Sequence, residues 1–293
     1  MRATCSPSRE APDVRVRHQT GGPPDIAIRI VDDAGAAAVA ERLQREVWGM
    51  PPGEVVPVHQ LITAARWGGV LLVAYAGDDP VGFCYGFVGL DDGRPVLCSH
   101  MLGVVPERRR SGIGFALKLE QRRLARERGL DRVVWTFDPL EARNAYLNLH
   151  KLDAFARHYY VDAYGPMDDE LNRSLPSDRL LVEWHLDEAR PSASRPPSRI
   201  EASTPVVNTP RSGAAVPAPG DADVRAGEGS PEILVAVPAH VAKVKERSAA
   251  LALAWRLNVR QAMTQALSGG FRATDLIPGE EGVSFYVFTR GER

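Results

Sequence analysis

The chain has 293 residues, of which 44% are hydrophobic and 25% charged, and 36 Lys and Arg face 37 Asp and Glu. This balance disfavours a nucleic-acid or anionic-membrane partner, because such binders need a surplus of cationic side chains. The longest apolar run (70–76) is too short to span a bilayer, and the N-terminus lacks the apolar centre of a signal peptide. Three cysteines without a CxxC pair favour a reducing cytoplasm and neither a disulfide scaffold nor a zinc site.

Residues 1–24 are rich in Pro and Gly and predict a disordered tail. A domain of strands and helices over 25–187 follows. Its first part is predicted from apolar periodicity and from turn residues. The predicted strands are 26–30, 70–76, 81–90 and 95–105, and the predicted helices are 36–47, capped by Asp32 or Asp33, and 58–67.

The segment 102–137 holds the main functional signal. A strand ends at Val105-Pro106, an arginine-rich turn with Gly112 and Gly114 follows, and a helix runs to Gly129 before a strand at 132–137. We expect its arginines 122, 123, 126 and 128 to be solvated. A strand–turn–helix–strand unit predicts that part of the sheet is parallel or mixed. A helix at 141–152 and strands at 157–163 and 179–186 complete the domain.

The composition changes at 188–230, where Pro, Ser, Ala and Gly dominate and predict a linker or a disordered insertion. Beyond it, 231–293 predicts a strand, a helix over 241–267 and two strands, a β-α-β-β order. We expect this C-terminal extension to pack on the main domain, because it is small for independent folding.

The turn before the predicted helix at 113 has the chemistry of a phosphate site. The first turn of a helix leaves backbone N–H groups without partners, and the helix dipole adds positive charge there. Gly112 and Gly114 let an anion approach the backbone, and Arg108 to Arg110 add donors. The simpler interpretation is an exposed helix start. A Walker A loop is excluded because no Lys-Ser/Thr follows the last glycine.

Residues 102–114 (LGVVPERRRSGIG) resemble the Arg/Gln-x-x-Gly-x-Gly/Ala motif of the GNAT superfamily of acyl-CoA-dependent N-acetyltransferases. The resemblance covers about 26–187, and 137–152 is similar to a less characterised branch of predicted acetyltransferases with a C-terminal extension. It implies an α/β (α+β) fold, with a mixed, mostly antiparallel twisted sheet flanked by helices and a small β-α-β-β extension. It also implies acetyl-CoA as acyl donor and no metal.

The resemblance assigns residues to the CoA site. Leu102, Gly103 and Val104 would contact the pantetheine arm, and Asn144 would lie near it, although Asn144 could instead be a plain helix N-cap. The backbone amides of a cradle would hold the pyrophosphate; its members are Arg109, Arg110, Ser111, Gly112, Ile113 and Gly114.

The resemblance further implies direct attack of an amine on the thioester. His100 suits the base because histidine titrates near neutrality. The position at which many family members carry the acidic Tyr is Lys151 here, so Tyr146 is the nearest substitute in sequence. Each of these residues could instead only pack. Further candidates are Tyr159, Tyr160 and Tyr164 for the acid, Glu54 and His59 for the base, and Trp48 and Trp67 for the acceptor wall.

We therefore expect an N-acetyltransferase that acts on a primary amine of a small molecule or a protein, with a homodimer left open. Two alternatives remain at this stage. Nothing in the cradle recognises the acyl group, so another acyl-CoA could be the donor. Lys151 also allows a catalytically silent CoA-binding sensor or scaffold.

Overall fold

The computed structural model describes residues 14–16, 26–166, 175–187, 196, 198, 200–211 and 216–291. The chain divides into two compact units, Met1–Gly129 and Leu130–Arg293. This division falls before the strand at 132, whereas composition placed the domain boundary at 188–230. Each unit is a sheet with helices packed on it.

The first unit contains a five-stranded sheet in the order β1-β2-β3-β4-β5, with every neighbouring pair antiparallel. Gly77, with φ +64°, makes the predicted hairpin turn, and Asp92 and Gly93 (φ +49° and +75°) make the next. Strand β1 lies inside the segment predicted as a disordered tail; the rest of 1–24 lies outside the described residues. The strands are β1 (Val14–Val16), β2 (Ile26–Ile30), β3 (Val70–Ala76), β4 (Asp79–Asp91) and β5 (Arg94–Val104).

Two helices of this unit, α1 (Ala34–Trp48) and α2 (Val58–Arg66), share one hydrophobic core with the sheet. Asp33 caps α1 by accepting a hydrogen bond from Ala36 N at 3.0 Å, as the sequence predicts. The buried residues that α1, α2 and the strands bring together include Leu43, Leu61, Leu71, Phe83 and Met101.

Helix α3 (Ile113–Glu127) packs against β3, β4 and β5 through Ile113, Leu117 and Leu124. The expectation that Arg122 is solvated is wrong, since it is only 7% exposed. The reason is that the buried surface of α3 is wider than its apolar stripe and includes polar side chains as well.

The second unit contains a six-stranded sheet in the order β6-β8-β7-β10-β11-β9, whose described pairs are all antiparallel. Its strands are β6 (Arg132–Phe137), β7 (Phe155–Tyr160), β8 (Arg179–His185), β9 (Glu232–Pro238), β10 (Phe271–Pro278) and β11 (Val283–Arg290). Its helices are α4 (Ala142–Ala145), which continues as a π-helix (Tyr146–Lys151), α5 (Val241–Arg247) and α6 (Ala249–Ser268).

The C-terminal extension joins this second sheet through the pair Ala273 and Ala156. The single helix predicted at 241–267 is two helices, because Ser248 is extended (φ −166°) and caps α6 by accepting from Leu251 N at 3.2 Å. The extension is therefore β-α-α-β-β. The predicted fold class, a mixed α/β protein with a mostly antiparallel sheet flanked by helices, is confirmed.

Part of the predicted linker contacts the extension. The Asn208 side chain donates to Ala236 O at 2.9 Å and accepts from Ala236 N at 2.7 Å. It thereby makes the pair of backbone hydrogen bonds that a residue of a neighbouring strand would make. Trp255 Nε1 donates to Pro217 O at 2.9 Å. The described residues of 200–230 are thus fixed to β9 and α6, while 188–195, 197, 199 and 212–215 lie outside the described residues.

Candidate active site

The turn that precedes α3 has the backbone shape of an anion cradle. Arg110 and Gly112 both adopt left-handed conformations, with φ +73° and +84°. Such alternation turns successive N–H groups toward one concavity. Ala116 N donates to Gly112 O at 3.0 Å, which is the first hydrogen bond of the helix. The N–H groups of residues 113–115 therefore have no acceptor within the helix. Gly112 is exposed, and the turn can therefore present its amides to a ligand.

The side chains of the predicted cradle mostly stabilise the turn itself. Arg109 donates from Nε to Val104 O at 3.2 Å and from Nη2 to Val47 O at 3.0 Å. Ser111 Oγ donates to Arg108 O at 2.6 Å, and Ile113 is buried in the core. Gly114 is half-buried, and Arg110 is exposed. An anion that binds this turn would therefore meet the backbone amides and the exposed Arg110 side chain.

The three residues predicted to contact the pantetheine arm are the last three of β5. Leu102, Gly103 and Val104 pair in antiparallel register with Cys84, Phe83 and Gly82 of β4. A Cβ on Gly103 would lie 2.8 Å from Cε1 of Phe83, which is too close for any larger residue. Gly103 is therefore required by packing, whatever its contact with a ligand.

His100 lies in a β-bulge on β5, at the position between the paired residues Ser99 and Met101. Its side chain is exposed, with its ring centroid 6.0 Å from the rings of both Tyr85 and Phe87. Partial burial beside these rings lowers the pKa of His100 below its ordinary value of 6.5. The imidazole is therefore neutral near pH 7, as a base must be.

The weaker candidates of the first unit have different surroundings. Glu54 and His59 are exposed. Trp48 packs edge-on against Phe83 with a centroid distance of 5.5 Å and belongs to the core, whereas Trp67 is 82% exposed. Trp48 thus has the ordinary packing role that the sequence left open.

A buried polar cluster lies behind the bulge, and the sequence did not indicate it. Lys118 Nζ donates to Ser99 Oγ at 3.0 Å and to Gln121 Oε1 at 2.9 Å. Burial lowers the pKa of Lys118 to about 8 and raises that of the neighbouring Cys84 thiol to about 11. The sequence held one signal for this cluster: the polar residues Lys118 and Gln121 lie one turn apart on α3, next to Leu117.

In the second unit, Tyr146 begins the π-helix that follows α4. Its ring stacks on that of His150 with a centroid distance of 4.5 Å and an angle of 17°, and Lys151 Nζ lies 5.8 Å from the Tyr146 centroid. Leu152 N donates to Leu147 O at 3.0 Å, the i to i+5 bond of a π-turn. This winding brings position 151, where the resemblance expects a tyrosine, next to Tyr146.

The other tyrosines are less available as acids. Tyr159 donates its hydroxyl hydrogen to Asp178 Oδ2 at 2.6 Å, and burial together with that carboxylate raises its pKa well above 10. The Tyr164 hydroxyl lies 2.8 Å from Thr136 Oγ1, and Tyr160 is exposed on β7. Within the described part of the chain, the half-buried Tyr146 has no hydrogen bond to its hydroxyl.

Asn144 is the third residue of α4, and Glu141 is the N-cap. The interpretation of Asn144 as a plain N-cap is therefore wrong. Its side chain is exposed, and its Oδ1 accepts from Asn148 Nδ2 at 3.2 Å. This bond leaves the amide group of Asn144 free to donate to a ligand.

Within the described ranges, no group of three or more His, Cys, Asp or Glu side chains could hold a metal ion. No helix in these ranges combines the length and the apolar character that crossing a bilayer requires. Cys84 and Cys98 are both unpaired thiols.

Residues 38–152 match the sequence model of the Acetyltransferase (GNAT) family. No curated protein sequence matches the chain. The matched range includes β5, the cradle, α3 and the π-helix, so it contains His100, Tyr146 and every residue assigned to the CoA site, while Tyr159, Tyr160 and Tyr164 lie outside it.

Three solved structures with a similar backbone carry acetyltransferase names. A protein assigned to the GNAT family from Desulfovibrio desulfuricans has TM-score 0.43 and 18% identity, over 55% of this chain and 99% of its own. The Escherichia coli ribosomal-protein-S18-alanine N-acetyltransferase has TM-score 0.45 and 14% identity, over 56% and 96%. A Salmonella typhimurium protein assigned as an acetyltransferase, solved with acetyl-CoA, has TM-score 0.44 and 17% identity, over 57% and 98%.

Proposed function

Because residues 38–152 match the sequence model of the Acetyltransferase (GNAT) family, we propose that the protein is an N-acetyltransferase that moves an acetyl group from acetyl-CoA to a primary amine. The acceptor class in this proposal is a small-molecule or protein amine. The compartment is the cytoplasm, since the cysteines suit a reducing environment.

The observation that carries the proposal is the turn at 110–114. Two left-handed residues precede an exposed helix start, and the cationic side chain of Arg110 is exposed there, whereas that of Arg109 bonds within the protein. A diphosphate carries the charge that such amides and the helix dipole attract. The turn therefore fits the pyrophosphate of CoA, with Leu102, Gly103 and Val104 proposed for the pantetheine arm and Asn144 proposed as a further contact.

The reaction needs one proton removed and one supplied. The amine nitrogen attacks the thioester carbonyl carbon, a C–N bond forms and the C–S bond breaks, which yields an acetamide and the CoA thiolate. His100 is the proposed base, which takes the amine proton directly or through a water, and its lowered pKa keeps it neutral. Tyr146 is the proposed acid, which protonates the thiolate.

One observation supports a second candidate. Lys151 stands where a family tyrosine is expected, so a protein that binds CoA without turnover is the alternative. A transferase of another acyl group is a variant of the first candidate, because the cradle contacts only the CoA end of the donor.

The experiment is titration calorimetry with CoA on the wild type, on Gly112→Glu and on Gly129→Glu. Gly129 also has a positive φ (+76°), follows the same helix and has open space where a Cβ would lie, so it is a matched control. We expect Gly112→Glu to weaken binding at least about a hundredfold, or roughly 2.7 kcal/mol, and Gly129→Glu to leave it unchanged. Equal affinity of Gly112→Glu and wild type would refute the cradle.

Turnover then separates the two candidates. Release of the CoA thiol is followed with acetyl-CoA, with longer acyl-CoAs and with a panel of amines. Thiol release that depends on an amine supports the transferase. Binding without release on any amine would favour the silent module.

A further inference from the structure

We propose that the C-terminal extension positions the candidate acid: Asp275 of β10 holds His150, and His150 holds the ring of Tyr146. Asp275 is then a positioning residue for acyl transfer, which gives residues 231–293 a role in the reaction. This inference rests on the proposed function.

The Asp275 carboxylate is rigidly held. Its Oδ1 lies 2.9 Å from His150 Nδ1 and accepts from Leu276 N at 2.7 Å, and its Oδ2 accepts from Ser198 Oγ. His150 and Asp275 are each 1% exposed. Because an ionised carboxylate can only accept, Nδ1 of His150 carries the hydrogen. The bond therefore fixes both the tautomer and the orientation of the imidazole.

The fixed orientation of His150 constrains the side chain of Tyr146, because the two rings stack. The two rings are nearly parallel and 4.5 Å apart, and the π-turn places both on one side of the segment. The hydroxyl of Tyr146 lies on the long axis of the ring, so its position is set by the rotamer about the Cα–Cβ bond, and stacking on the fixed His150 ring restricts that rotamer. A general acid must lie within hydrogen-bond reach of the leaving group, which makes this rotamer important for the rate.

Two more side chains of the extension hold the residues before α4. Arg256 of α6 donates two hydrogen bonds to Asp138, at 2.9 and 2.6 Å. Tyr286 of β11 donates to Pro139 O at 2.8 Å. The extension thus contacts the segment that carries Asn144 and Tyr146 at both ends, at 138–139 and at His150.

The chemistry of these contacts is better suited to positioning residues 138–150 than to stabilising the fold. Burying ions costs desolvation free energy, and apolar residues of similar volume often stabilise a fold as well or better. The contact between the extension and 138–150 nevertheless buries the Asp275 carboxylate, the Arg256 guanidinium and the His150 imidazole, and leaves the Asp138 carboxylate only 13% exposed. Directional bonds fix one geometry, which apolar contacts do not.

The test is a double-mutant cycle between Asp275→Asn and Tyr146→Phe, with kcat and KM measured at saturating donor and amine. We expect Asp275→Asn to lower kcat about tenfold with KM for acetyl-CoA within about twofold, and to have no further effect on kcat in the Tyr146→Phe background. Thr274→Val, a buried neighbour on β10 whose hydroxyl bonds to Val287 O at 3.5 Å, is the control and should retain kcat. An equal loss of kcat in both backgrounds would overturn the inference.

A second variant covers the case in which Asp275→Asn does not fold. The side-chain amide of His150→Asn can still donate to Asp275 but removes the stacked ring, so we expect the same tenfold loss, again only when Tyr146 is present. Unchanged kcat in His150→Asn contradicts the proposal.

Failure of the proposed function is recognised separately. If the wild type turns over no amine, the transferase is refuted, and hydrogen exchange still tests the placement. Asp275→Asn should accelerate amide exchange at 146–152 relative to Thr274→Val. Equal exchange in the two variants rejects the role of Asp275.

Discussion

Arg109 and Val47 join the turn before α3 to the last turn of α1, 62 residues earlier in the chain. The guanidinium Nη2 donates to Val47 O at 3.0 Å, while Nε donates to Val104 O at 3.2 Å. The last carbonyls of a helix lack hydrogen-bond partners and carry partial negative charge. A cationic donor at this position therefore supplies the missing hydrogen bond and also interacts favourably with the charge. The arginine that the family motif places in the cradle thus fixes the backbone that would bind the ligand.

This geometry predicts that Arg109 acts on CoA affinity through the shape of the turn. We expect both Arg109→Ala and Arg109→Lys to raise the Kd for CoA about tenfold, because an ammonium cannot bridge two carbonyls as the planar guanidinium does. The matched control is Arg126→Ala, which removes an exposed charge in the last turn of α3 and should leave Kd within about twofold. Calorimetry at one fixed salt concentration measures all three. Equal Kd values for Arg109→Ala and Arg126→Ala are incompatible with this role.

His100 gives a prediction about pH. A base must be unprotonated, and burial lowers the pKa of His100, so the neutral form persists below pH 6.5. We expect kcat/KM to hold through pH 6.5 and to fall only at a lower pH. His100→Ala should lower kcat about a hundredfold at pH 7.5 and remove this acid limb, whereas the exposed His59→Ala should change neither. An acid limb that persists in His100→Ala would assign it to another group.

The turn before α3 could be predicted from sequence because its determinants are local. Gly112, the arginines before it and the amphipathic helix after it lie within about 20 consecutive residues, and a helix start needs no distant contact to have free N–H groups. The cap at Asp33 and the turn at Gly77 were predictable for the same reason. Each depends on one residue and its immediate neighbours.

The segment 146–151, which carries the proposed acid Tyr146, and the residues that hold it could not be predicted in this way. Asp275 and His150 are 125 residues apart, and neither stands out in a pattern of apolar periodicity. The π-turn replaces α-helical spacing at 146–151, so a helical wheel places Lys151 away from Tyr146. The burial of Lys118 could not be predicted either, because burial of a charge depends on a partner such as Ser99 from another element.

Lys118 gives a prediction about stability. Its pKa is about 8 in the folded protein against 10.5 unfolded, so between these values the unfolded chain binds one more proton and the free energy of unfolding rises with pH. From pH 8 to 9 we expect the wild type to gain about 1 kcal/mol relative to Lys118→Met, because the titration of Cys84 in the unfolded chain is common to both proteins and cancels. Urea unfolding at both pH values measures this. A parallel pH dependence of the two proteins would show that Lys118 does not titrate in this range.

The pair of Arg256 and Asp138 predicts strong coupling between α6 and the end of β6. Arg256 is 1% exposed, so Arg256→Met leaves the largely buried Asp138 carboxylate without its two charged donors, and we expect a loss of about 3 kcal/mol in the free energy of unfolding. Asp138→Asn keeps an acceptor for Leu140 N, which donates to Oδ1 at 2.8 Å, but strands the Arg256 charge instead. In the double variant neither charge remains. Its loss should therefore be at least about 1 kcal/mol smaller than the sum of the single losses, and strictly additive losses in urea unfolding would mean that the two side chains do not form this pair.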